Sequence, residues 1–213
     1  MAGPARTRDN QTRDDQTRGN DARAKPTARQ RLLDAASELF YTEGVQTVGI
    51  DRIIEQAGVA KATLYNTFGS KEKLVEAYLQ ARHADTTAGL SHAVERQHEP
   101  RARLLAVFDA QAELFRQPDF RGCAFITASA EAPPGGLIQR ATDDYRTDIR
   151  SLFGQLAAEL EVPDADSLAR QLQLIYDGAG LAARMDRDPS IAAAARAAAE
   201  TLLDAACGNH RLS

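Results

Sequence analysis

Residues 47–73 read TVGIDRIIEQAGVAKATLYNTFGSKEK, and no other stretch restricts the fold of this chain as much. Ile50, Ile53, Ile54 and Ala57 recur at helical spacing and predict a helix of about two turns. Gly58 follows where a chain leaving a helix needs a positive φ, which glycine adopts without steric cost. Val59 is expected to plug the turn from below. Leu64, Tyr65 and Phe68 then form the apolar side of a second short helix, whose other side carries Lys61, Thr63 and Asn66. Two helices joined by about three residues that include Gly make a helix-turn-helix. In such units the second helix enters the major groove of DNA.

The run AGVAKATLYNTFGSKEKL resembles the DNA-binding segment of the TetR (TetR/AcrR) family of bacterial transcription regulators. The likeness rests on Ala57, Gly58, Val59, Thr63, Leu64, Tyr65, Phe68, Ser70, Lys71, Glu72 and Leu74. It covers roughly residues 28–80; beyond them only chain length and helix count match the family. Three positions depart from its usual pattern. Ala60 stands where Ser or Thr commonly caps the recognition helix, a loss of roughly 0.5–2 kcal/mol unless a turn group or a DNA phosphate substitutes. Ile54 replaces a small residue, and Asn66-Thr67 replaces a common aromatic or His pair. The operator sequence is therefore not readable by analogy.

Composition points the same way. Ala, Leu, Arg, Asp and Glu dominate, Trp is absent and β-branched residues are sparse, which favours an all-α protein. The net charge of −4 looks wrong for a DNA binder until it is divided along the chain. Residues 1–73 hold 12 Lys/Arg against 10 Asp/Glu, while the remainder holds 14 against 20. That asymmetry has the sign expected if the N-terminal part faces phosphates. No apolar run approaches membrane-spanning length and none follows the N-terminal charges, so neither a span nor a secretory signal is expected. Two cysteines, Cys123 and Cys207, fit neither a disulfide framework nor a zinc pattern, and a reducing cytoplasm is the natural compartment.

In chain order, residues 1–26 form a polar segment with the loose repeat TRDNQ, TRDDQ, TRGND, read as a disordered tail. Arg6, Arg8, Arg13 and Arg18 could touch DNA from it, but the interleaved aspartates favour a solvated tail. Residues 27–73 are the expected helix-turn-helix domain. A helix from Thr27 carries Leu32, Leu33, Ala36, Leu39 and Phe40 on one face, and Gly44 ends it. Ser70 caps the next helix, which carries Leu74, Val75, Tyr78 and Leu79 and continues towards His92. Residues 74–213 are the expected effector-binding and dimerisation domain, with five more helices. One opens at Pro100; a short one spans residues 121–131; the longest spans residues 137–160. A fourth carries Leu168, Leu172, Leu174, Ile175, Leu181 and Met185, and an Ala-rich one runs over residues 191–206. About nine helices in all are predicted, with no strand.

Candidate DNA contacts are Lys61, Ala62, Thr63, Tyr65 and Asn66, on or beside the exposed face of the recognition helix. Asn pairs well with adenine and Lys with guanine in the major groove. Thr47 and Lys71, at flanking helix N-termini, would hold phosphates without reading sequence. The four histidines have no metal-ligand spacing and read as surface residues. Cys123 could be a redox sensor, with Arg121 and a helix start nearby lowering its pKa, but a small core residue is the commoner reading. No acid/base constellation, phosphate loop or nucleophile elbow is present, so no catalysis, no metal and no cofactor are expected.

The resemblance implies that the C-terminal helices form a homodimer and bind a small effector. Phe108, Phe125, Thr127, Tyr145 and Tyr176 are the candidates for lining that pocket, each weighed against plain core packing. The expected function is a repressor released from palindromic double-stranded operator DNA by a small molecule. The alternative is a DNA-bound adaptor whose C-terminal domain recruits a protein. An enclosed pocket would favour the first and an exposed apolar patch the second.

Overall fold

A computed structural model describes Met1, residues 25–130 and residues 132–208. Among these residues there are nine helices and no strand. The polar tail expected over residues 1–26, with its four arginines, lies almost wholly outside them. The helices are α1 Ala28–Glu43, α2 Ile50–Ala57, α3 Lys61–Phe68, α4 Lys71–Glu95, α5 Pro100–Phe115, α6 Ala124–Ala130, α7 Leu137–Ala158, α8 Ala165–Asp186 and α9 Ile191–Gly208.

Local chemistry explains most of the boundaries. The Thr27 side chain accepts from the Gln30 amide at 3.1 Å and starts α1. Ser70 does the same for α4 through the Lys73 amide at 3.1 Å, and Asp164 for α8 through the Ser167 amide at 2.9 Å. Pro100 occupies the first turn of α5, where a missing N–H costs nothing. Gly58 lies in the left-handed region, φ 62° and ψ 45°, and the Val59 amide reaches back to the Ile54 carbonyl at 3.1 Å. α2 therefore stops where the sequence pattern requires, and α3 turns away from it.

The first three helices close over a small core. Leu32, Ala36, Leu39 and Phe40 of α1 meet Ile53 and Ala57 of α2, Leu64 and Phe68 of α3, and Leu74 and Tyr78 of α4, all buried. Phe40 and Tyr78 pack with ring centroids 5.7 Å apart. The start of α4 thus belongs to the N-terminal core, while Leu90 and Val94 farther along belong to the C-terminal one. That second core is built on α5, α7 and α8, where Phe108, Phe153 and Tyr176 meet edge-on or tilted at 5.9–6.5 Å.

Several expectations shift in detail. The short helix is confined to Ala124–Ala130, because the chain around Gly122, at φ +96°, is still turning. α4 runs past His92 to Glu95, and α7 stops at Ala158. The apolar residues of α8 divide between two faces. Leu168 and Leu172 are buried, but Leu174 is 69%, Leu181 43% and Met185 71% exposed. On α9, Ala192, Ala195, Ala199 and Leu203 face inward, while Ala193, Ala194, Ala197 and Ala198 lie on the open side.

Candidate functional site

α3 presents the surface that its periodicity dictates. Leu64 and Phe68 are buried, while Lys61, Ala62, Tyr65 and Asn66 are exposed and Thr63 is half-buried. Tyr65 keeps 44% of its surface open, so its ring leans on the unit while the side chain still reaches outward. Thr47 is exposed just before α2, and Lys71 is half-buried as the first residue of α4. The seven residues proposed from sequence therefore lie on α3 and at the starts of its two neighbours. Ala60 gives α3 no side-chain cap.

Two contacts of this unit were not legible in the sequence. The Lys61 ammonium is 2.9 Å from the Asp51 carboxylate, whose hydrogen bond and charge raise the Lys61 pKa above its usual value. Asp51 sits in the first turn of α2, where a carboxylate also offsets the helix dipole. Arg31 of α1 donates to the Ala57 carbonyl at 3.1 Å and pins the turn beside Gly58. No sequence pattern marks it, because helical periodicity does not tell a pinning arginine from a solvated one.

Behind α6 lies a chamber of about 80 Å³ between α4, α5, α7 and α8. Phe125 stacks on Tyr145 with ring centroids 3.9 Å apart and planes 3° off parallel. Burial pushes the phenols of Tyr145 and Tyr176 well above their usual pKa. Asp177 is ion-paired with Arg146 at 2.8 Å, yet burial still raises its carboxyl. Gln111 donates to the Tyr176 carbonyl at 2.8 Å, and its buried Oε1 has no partner among the described residues. An acceptor left so costs roughly 1–3 kcal/mol. Burial raises the Cys123 thiol, which keeps it protonated and overturns the lowered pKa expected beside Arg121.

Three of the five candidates, Phe125, Tyr145 and Tyr176, line this chamber. Phe108 does not: it is wholly buried against Phe153 and Tyr176 as core. Thr127 lies in a neighbouring cleft of about 630 Å³, where its hydroxyl accepts from Arg184 at 2.5 Å. Tyr41, Arg82, Gln111 and Phe120 also line the chamber and had no sequence signal, since each comes from a different element.

The chamber touches the N-terminal unit directly. Arg82 of α4 lies 3.8 Å over the ring of Tyr41 on α1. The Tyr41 hydroxyl donates to the Gly122 carbonyl at 3.1 Å and accepts from the Arg121 amide at 2.9 Å. His83, expected on the surface, is instead half-buried, 2.9 Å from the Asp148 carboxylate of α7 and edge-on to Tyr145. Among the described residues no three His, Cys, Asp or Glu side chains could hold a metal, and no helix is long and apolar enough to cross a membrane.

The profile described as bacterial regulatory proteins, tetR family, matches residues 32–78. A TetR-family transcriptional regulator from Streptomyces coelicolor is 33% identical; the alignment covers 84% of this chain and 96% of that one, with a TM-score of 0.81. The HTH-type transcriptional regulator BetI 2 of Chromohalobacter salexigens is 28% identical over 189 residues, 84% of this chain and 88% of that protein. The HTH-type transcriptional activator FasR of Mycolicibacterium smegmatis is 39% identical over 99 residues, 46% of this chain and 44% of FasR. The chain thus spans less than half the length of FasR.

Proposed function

The chain belongs to the TetR family of bacterial regulatory proteins, and we propose that it is a repressor whose hold on operator DNA is broken by a small molecule. As a member it is a transcriptional regulator with an N-terminal DNA-binding unit and a C-terminal helical domain. In this reading residues 27–73 bind DNA and residues 74–213 receive the effector and dimerise, α4 being common to both. Lys61, Ala62, Thr63, Tyr65 and Asn66 read the major groove, while Thr47 and Lys71 hold phosphates. The protein is a cytoplasmic non-enzyme and needs no cofactor.

One observation carries the effector reading: the chamber behind α6 has Tyr41 of α1 and Arg82 of α4 in its wall. A ligand entering there must press on the helices that carry the DNA-binding unit. The open faces of α8 and α9 are the proposed homodimer surface. Leu174, Leu181 and Met185 supply apolar area, and the alanines of α9 let a second copy approach closely. Two copies place two recognition helices about one DNA turn, or a multiple of it, apart on a palindrome.

The exposed apolar row on α8 also suits the second reading, a DNA-bound adaptor that recruits another protein. One experiment separates them. An operator is selected from random duplexes, and its binding is followed by fluorescence anisotropy while compounds that raise the melting temperature are titrated in. Loss of operator in step with compound binding supports the repressor. Stabilising compounds that leave the operator bound would favour the adaptor.

A further inference from the structure

We propose that the effector is an amphipathic organic anion, with its apolar body in the chamber behind α6 and its acid group in the adjoining arginine-lined cleft. This inference rests on the effector reading above and specifies its ligand. The two spaces are continuous in their walls: Tyr41, Phe115 and Phe120 line both. Phe115 and Phe120 pack at 4.9 Å between ring centroids, so the wall that the two spaces share is aromatic. The inner space is small and walled by stacked rings, and its one carboxylate, Asp177, is already paired with Arg146.

The outer cleft has the opposite character. Arg121, Arg184 and Arg187 line it. None of the three has a carboxylate partner among the described residues. Arg121 spends one nitrogen on the Pro118 and Phe120 carbonyls, Arg184 bonds the neutral Thr127 hydroxyl, and the Arg187 side chain makes no hydrogen bond among the described residues. Glu43 also lines the cleft, but Arg52 holds it at 2.5 Å. Three guanidinium groups, always charged and rich in donors, thus converge on one space with no anion of their own.

The carbonyls that end α8 account for a cation at Arg184 or Arg187. They do not account for Arg121, which comes from the loop between α5 and α6. Gly122 adds a steric reason: a Cβ there would lie 2.5 Å from Cδ of Arg184, so the bare glycine leaves room for the arginine's stem. A carboxylate is an anion that a guanidinium can grip with two parallel bonds. An aryl or alkyl tail would then follow Phe115 and Phe120 inward.

The test uses three probes with one tail: 4-phenylbutyrate, 4-phenylbutanol and 4-phenylbutylamine. Binding is measured by calorimetry on the full chain, and operator release by anisotropy. The carboxylate is expected to bind at least about tenfold tighter than the alcohol, and the amine weakest of all. Arg187→Gln, at an exposed position, and Arg184→Gln should each weaken the carboxylate several-fold and leave the alcohol unchanged. An alcohol or amine that binds as tightly as the carboxylate overturns the anion, as does no heat with any probe or an unchanged carboxylate affinity in both variants. If the amine binds and releases operator, the effector reading survives without the anion. If the carboxylate binds through the arginines but the operator stays bound, the anion site survives and the effector reading falls.

Discussion

The hydroxyl of Tyr41, on the first helix, donates to the carbonyl of Gly122 at 3.1 Å, across 81 residues of sequence. The same oxygen accepts from the Arg121 amide at 2.9 Å. One phenol therefore ties the DNA-binding unit to the loop that leads into α6, and α6 roofs the chamber. Arg82 of α4 lies over the same ring. The two elements best placed to feel a ligand meet at a single aromatic side chain.

Tyr41→Phe keeps the ring under Arg82 and removes both hydrogen bonds. The expected cost is about 1–3 kcal/mol, the range for leaving two backbone groups without a partner at a partly wetted site. For a chain of this size that lowers the melting temperature by a few degrees, roughly 2–4 °C per kcal/mol. Operator affinity without effector should be unchanged, while the effector concentration needed for release should rise several-fold. An unchanged release curve would show that the latch carries no signal.

Lys61 is not a free hand in the unbound protein, since Asp51 holds it at 2.9 Å. Asp51→Asn removes that competitor, together with a negative charge near phosphates, and should tighten operator binding. Lys61→Ala should weaken it and make the salt dependence shallower by about one unit of slope. Tyr65→Ala should also weaken binding without loss of helical content. Anisotropy titrations at several salt concentrations decide all three. Equal affinity and slope in wild type and Lys61→Ala would remove Lys61 from the interface.

Ala60 has the extended backbone of an N-cap, φ −73° and ψ 151°, but no oxygen to offer. Ala60→Ser should add the missing bond to an α3 amide and stabilise the protein by about 0.5–2 kcal/mol. A urea melt reads the change directly. No gain would mean that another group already serves those amides.

The local rules carried the N-terminal unit almost whole. Thr27, Gly44, Gly58 and Ser70 set helix ends in the structure where the sequence put them. Capping and left-handed glycine act over a few residues, so one chain suffices to see them. The chamber was half legible for the opposite reason. Phe125, Tyr145 and Tyr176 line the chamber, whereas Phe108 is core and Thr127 lines the adjoining cleft. Periodicity says which face of a helix is buried, and not whether its neighbour leaves a gap. Leu174, Leu181 and Met185 are the sharpest case: apolar at helical spacing, yet mostly open, because they lie on the face that no other helix among the described residues covers.

That face supplies a prediction about assembly. Leu174→Glu with Met185→Glu places two charges on the open side of α8, where neither side chain supports the protomer's own core. The homodimer should dissociate while the monomer keeps its helical content, and operator affinity should fall with loss of the second recognition helix. Light scattering at micromolar concentration gives the mass. If the wild-type protein is itself monomeric there, the row belongs to a different partner.

The last prediction concerns α4 as the second line of transmission. Its first turns lie in the N-terminal core through Leu74 and Tyr78, and its middle meets the chamber through Arg82 and Thr86. A straight helix passes a tilt from one end to the other, because its backbone bonds are made within it. Inserting residues after Arg82 would turn everything beyond by about 100° per residue and spoil the packing of Leu90 and Val94. Loosening is cleaner. Ala84 and Asp85 are exposed, so Ala84→Gly with Asp85→Gly softens the helix without removing a core contact, at about 1 kcal/mol per glycine. Moving operator occupancy from 99:1 to 1:99 needs an effector that prefers the non-binding conformer by about 10⁴-fold, or 5.5 kcal/mol. A softened α4 absorbs part of that preference as local bending, so release should become incomplete at saturating effector, with effector and operator each bound normally alone. Adding Tyr41→Phe should remove most of what remains. If the loosened protein still lets go of its operator at the usual effector concentration, and the triple variant does too, neither α4 nor the Tyr41 latch transmits the change.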